Sequence, residues 1–90
     1  MNKYFSKNEA ETIISLFNSG EKENIKLAIN LIRTNKKYKN FKKLYCDRFT
    51  YYNYKYNIES YLNALFKYPY NCYSKYYQDT IIKFIQKRIK

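Results

Sequence analysis

The chain has 90 residues, with 18 Lys and Arg against 7 Asp and Glu for a formal charge of +11, and it contains no histidine. That length suits one hydrophobic core and a single domain over residues 1–90. The composition excludes His-based triads, an imidazole general base and His-containing metal sites, and one glycine excludes a Gly-rich phosphate loop.

The residue pattern predicts an all-α fold: a small bundle of about five helices that begins with an αα-hairpin. Ser6-Lys7-Asn8-Glu9 has capping-box spacing, in which the Ser6 hydroxyl accepts from the Glu9 amide and Glu9 reaches back. Ala10, Ile13, Ile14 and Phe17 follow on one helical face. Gly20 stands where this helix ends and supplies a left-handed C-cap. Glu21 and Glu23 then bring negative charge to the positive end of a second helix. Its Ile25, Ala28, Ile29 and Ile32 are spaced i, i+3, i+4 and i+7.

A third helix is predicted over roughly 36–49, with Tyr38, Phe41, Tyr45 and Phe49 as its apolar stripe. Lys36, Lys39 and Lys43 lie opposite that stripe, and Lys37, Lys42 and Arg48 lie towards its edges. Residues 50–57 alternate with period two, so Tyr52, Tyr54 and Tyr56 share one face. With no second strand to pair with, this stretch reads as an extended or irregular connector. Asn57 caps a fourth helix with Ile58, Tyr61, Leu62, Leu65 and Phe66 inward, ended by Pro69. A fifth, about 74–89, buries Tyr77, Ile81, Phe84 and Ile85, while Lys83, Lys87 and Lys90 form an exposed ridge.

Lys, Tyr, Asn, Ile and Phe, all with codons rich in A and T, make up 55 of the 90 residues, so part of the Lys and Tyr excess reflects coding bias. Arrangement is more informative. Residues 1–32 carry no net charge, and residues 33–90 carry the whole +11. The chain accordingly divides into a neutral helical hairpin, 1–34, and a basic, Tyr-rich helical part, 35–90. Seven cations fall between Arg33 and Arg48 against the single acid Asp47. Lysine-rich surfaces bind phosphates without sequence preference, whereas base reading uses forked Arg, Asn or Gln contacts. Tyrosines supply stacking platforms for bases or anchors for a protein partner.

Asp47, Glu59 and Asp79, on three separate segments, do not form a metal-binding carboxylate cluster. Cys46 and Cys72 show neither C-x-x-C spacing nor a histidine partner and read as small core residues. No catalytic residue, metal or cofactor is expected. The first residues, Met1 to Lys7, hold no apolar stretch of signal-peptide length and no segment reaches the length of a membrane span, so a reduced, cytoplasmic setting is expected.

Residues 11–32, with a Ser-Gly turn, an acidic cap and Asn24-Ile25-Lys26-Leu27-Ala28, resemble a helical hairpin of small proteins from AT-rich bacteria. The whole profile is similar in kind to phage- or prophage-encoded inhibitors such as anti-CRISPR proteins. That resemblance implies a small protein without catalytic motifs that occupies a surface of an RNA-guided nuclease. The expected function is non-enzymatic binding to a nucleic-acid-handling machine, a protein or ribonucleoprotein, with inhibition of an RNA-guided nuclease as its sharpest form. The candidate contact residues are Arg33, Lys36, Lys37, Lys39, Lys42, Lys43, Arg48, Tyr52, Tyr54, Tyr56, Lys83 and Lys87. The alternatives are a small RNA- or DNA-binding regulator and an antitoxin-like partner of an acidic protein.

Overall fold

A computed structural model describes residues 4–47, 55–70 and 72–89. Within them the chain forms five helices, α1 (Lys7–Asn18), α2 (Lys22–Arg33), α3 (Tyr38–Phe41), α4 (Ile58–Lys67) and α5 (Ser74–Gln86). Two three-residue strands, β1 (Tyr45–Asp47) and β2 (Lys55–Asn57), pair antiparallel between α3 and α4. The fold is all-α around its core, and it begins with the αα-hairpin. Helix α1 packs on α2, α4 on α5, and the two hairpins meet through α2 against α4 and α1 against α5.

Local chemistry accounts for most helix ends. Ser6 Oγ accepts from the Glu9 amide at 3.2 Å and Glu9 Oε1 accepts from the Ser6 amide at 2.9 Å, completing the capping box. Past α1, Gly20 adopts φ +75°, a left-handed conformation that a side chain at that position would strain. Helix α2 has no side-chain cap from Glu21. Instead the Lys22 amide donates to the Tyr70 hydroxyl at 2.7 Å, so the loop after α4 satisfies an amide that α2 leaves open. Asn57 Oδ1 accepts from the Ser60 amide at 2.8 Å and caps α4 as its position predicts.

The core is assembled from the predicted faces. Ile25, Ala28, Ile29 and Ile32 of α2, Ala10, Ile13 and Phe17 of α1, Ile58, Tyr61, Leu62 and Leu65 of α4, and Ile81 and Ile85 of α5 are all buried. Each large aliphatic side chain removed from water in this way contributes roughly 1.5–3 kcal/mol before entropy is counted. Tyr77 and Phe84 pack against this core while keeping part of their surface in water.

Several expectations need correction. The helix predicted over 36–49 is a single turn, α3, followed by a turn and β1. Its start has neither a side-chain cap nor an acidic residue, and lysines three or four apart repel along the same surface. The following backbone is satisfied instead by strand pairing. Asn57, Tyr56 and Lys55 stand opposite Tyr45, Cys46 and Asp47, so the extended stretch does have a strand partner, drawn from the predicted helix. Residues 50–54 of that stretch, and Phe49, lie outside the described residues. Tyr45 therefore leaves the core stripe and is exposed, and Phe66 is 42% exposed rather than inward. Cys72 is exposed, not core. Helix α5 stops at Gln86 because the Arg88 carbonyl accepts from the Tyr4 and Phe5 amides, at 2.8 and 3.0 Å, and Phe5 bridges Ile89 in parallel.

Candidate nucleic-acid interface

The lysine-rich segment is built around one buried ring. Phe41 of α3 is 1% exposed and meets Tyr4 and Phe5 edge-on, with centroids 5.9 and 5.2 Å apart. These are the residues whose amides bind the Arg88 carbonyl. Asn35 closes the other side: its Nδ2 donates to the Tyr4 carbonyl at 3.1 Å and its Oδ1 accepts from the Lys37 amide at 2.8 Å. The α3 turn is thus fastened by an aromatic knob and an asparagine clamp to a short segment that also holds the end of the chain beyond α5.

With Phe41 directed inward, Lys36, Lys37, Lys39, Lys42 and Lys43 are left exposed. Lys42 Nζ stands 5.8 Å from the centroid of the Tyr38 ring, a cation–π distance. Among the described residues, Lys36, Lys39 and Lys43 form no ion pair. Five lysines in eight residues make a dense positive surface that a polyanion neutralises with release of its counterions. Beyond α5's last turn, Lys87 Nζ lies 6.0 Å from the Phe84 centroid and Arg88 Cζ 5.0 Å. Lys83 is also exposed. The Tyr4–Phe5 segment is common to both basic groups, since it carries Phe41 on its rings and Arg88 on its amides.

Arg33 is engaged with another helix. It reaches across to α4, where Nη2 donates to Asn63 Oδ1 and lies 3.4 Å from Glu59 Oε1. Its guanidinium also sits 5.8 Å from the Phe66 centroid, while Lys26 Nζ approaches the same ring at 5.0 Å. These contacts make Arg33 a tie between α2 and α4. Arg48, Tyr52 and Tyr54 lie outside the described residues, and of Tyr56 only the strand position is described. Two contributors escaped the sequence reasoning. Asn35 positions the turn, and its signal was an Asx residue immediately before the lysines. Tyr45 follows them, exposed on β1; periodicity alone assigned it to the core.

Comparison of the chain with protein-family models, with characterised proteins and with solved structures finds no match. The site must be read from its own chemistry. Among the described residues there is no group of three or more Cys, Asp or Glu side chains arranged to hold a metal ion. No helix among them is long and apolar enough to cross a membrane. A groove of about 400 Å³ lies beside α2, bordered by Glu23, Lys26, Leu27, Asn30, Arg33 and Phe66. It mixes apolar and oppositely charged groups and lacks the uniform positive charge of the α3 turn.

Proposed function

We propose that this is a non-enzymatic binding protein that engages a nucleic-acid-handling machine through the α3 lysine turn. The observation that carries the reading is the exposed set Lys36, Lys37, Lys39, Lys42 and Lys43 on a turn anchored by Phe41. Such a surface attracts phosphates at long range and holds them without choosing among base sequences. Phosphates in the nucleic-acid path of a nuclease or ribonucleoprotein are a fitting counterpart. In its sharpest form the protein inhibits an RNA-guided nuclease in the cytoplasm by competing along that path, as the resemblance to anti-CRISPR inhibitors suggests.

The test is affinity capture from host lysate with the wild-type chain and with a Lys36→Glu, Lys39→Glu, Lys43→Glu variant. Recovery of a nuclease or other nucleic-acid enzyme by the wild type, lost in the variant, supports the reading. Recovery of the same proteins by both would remove the lysine turn from the interface.

A further inference from the structure

We propose that the lysine turn takes an unpaired nucleic-acid strand, with Tyr45 as the surface on which one base stacks. This rests on the nucleic-acid reading above and narrows it to a substrate class.

Tyr45 is fixed close to the cations by backbone bonds. The Lys42 amide donates to the Tyr38 carbonyl at 2.8 Å, that of Lys43 to Asn40 at 3.3 Å and that of Leu44 to Phe41 at 3.1 Å. The chain then enters β1, where Tyr45 stands opposite Asn57, and the Ile58 amide donates to the Leu44 carbonyl at 3.0 Å. The ring at the end of this turn is 61% exposed. It has no ring, cation–π or hydrogen-bond contact among the described residues. The tyrosines of α4 and α5 behave differently: Tyr61 and Tyr77 stack at 5.2 Å and Tyr76 meets both edge-on. Tyr45 is therefore an aromatic face held by hydrogen-bonded backbone, next in the chain to Lys42 and Lys43, without a ring to cover it among the described residues.

A positively charged track joined to an open aromatic face suits a single strand. The lysines take the phosphates, and the ring takes the π-face of a base, which every base possesses. In a duplex those faces are covered by neighbouring pairs, and recognition relies on groove edges. Helix α3, at four residues, is too short to lie along a major groove. Of the forked side chains used in edge reading the turn offers only Asn40, since Asn35 is engaged with Tyr4 and Lys37. Stacking on Tyr45 gives this surface a reason to prefer unpaired bases.

The experiment uses the purified full chain and end-labelled oligomers of about a dozen nucleotides, as RNA and DNA single strands and as duplexes of the same sequence. Affinity is measured for the wild type, Tyr45→Ala, Tyr45→Phe and the triple Lys36, Lys39, Lys43→Glu variant. At least one kind of single strand should bind more tightly than its duplex. Tyr45→Ala should weaken that binding about five- to a hundredfold, as expected for loss of one stacked base. Duplex affinity and the helical circular dichroism should be unchanged, and Tyr45→Phe should bind as the wild type. Equal affinity for strand and duplex, or an undiminished Tyr45→Ala, with the lysine dependence intact, overturns the strand preference and leaves the lysine reading standing. Binding of neither form at low salt overturns the strand proposal alone, and capture only of an acidic protein overturns both.

Discussion

Replacing Phe41 by alanine tests whether the lysine surface is part of the folded core or a loop resting on it. Phe41 is fully enclosed and meets Tyr4 and Phe5 edge-on. Loss of a buried Phe side chain and the cavity it leaves cost about 3–5 kcal/mol. The two ring pairs, about 0.5–1.5 kcal/mol each, bias the value towards the upper part of that range. A domain of this size has only about 5–13 kcal/mol in total. Phe41→Ala should therefore remove about a quarter or more of the stability and lower Tm by about 15–30 °C. Urea denaturation followed at the helical circular dichroism signal gives the free energy. Phe66→Ala provides the control: it removes a ring that is already half in water, and should cost no more than about 1.5 kcal/mol. Hydrogen exchange adds a local measure, since the amides of Lys42 and Leu44 depend on the α3 turn. A Phe41→Ala free energy within about 1 kcal/mol of wild type, with these amides still protected, would refute the anchoring argument.

Other perturbations follow from the same structure. If the five exposed lysines of the turn each displace a counterion from a single strand, log K should fall against log[salt] with a slope of about −3.5, and the triple lysine-to-glutamate variant should flatten that slope by about 2 or more; an unchanged slope would place binding elsewhere. Gly20→Ala forces a side chain into the left-handed conformation at φ +75° with open space around it, so the cost should be about 1–2 kcal/mol from backbone strain alone, read from a urea midpoint shift. A double-mutant cycle on Arg33→Ala and Glu59→Ala should return a coupling of no more than about 1 kcal/mol, because the pair is partly exposed and spans 3.4 Å. A larger coupling would make the pair a principal tie between α2 and α4.

The helical faces were legible because they rest on a single signal, the spacing of aliphatic residues. Ala10, Ile13 and Phe17, and Ile25 to Ile32, are buried as that spacing requires, and Ser6, Gly20 and Asn57 act where their own chemistry directs. The middle of the chain was harder. Tyr38, Phe41 and Tyr45 satisfy a helical stripe arithmetically, but aromatic residues suit strands as well as helices. What ends α3 is non-local: Phe41 is claimed by Tyr4 and Phe5, and Tyr45–Asp47 by strand β2. Neither partner is visible in a window of neighbouring residues. For the site, the exposed lysines are legible as a cluster, whereas the bonds of Arg33 to Glu59 and Asn63 have no local signal because those partners lie a helix away.

The bond from Arg88 to Tyr4 and Phe5 has a kinetic consequence. During synthesis Tyr4 and Phe5 are made long before their carbonyl partner, and closing so wide a loop waits until Arg88 has left the ribosome. Until then the Phe41 ring lacks the fully fastened platform it rests on in the finished fold. A nascent chain would emerge with its α1–α2 hairpin able to pack and its lysine segment still untethered. The segment after α5 thus does double duty, fastening the aromatic platform and fixing the orientation of the charged turn some fifty residues upstream.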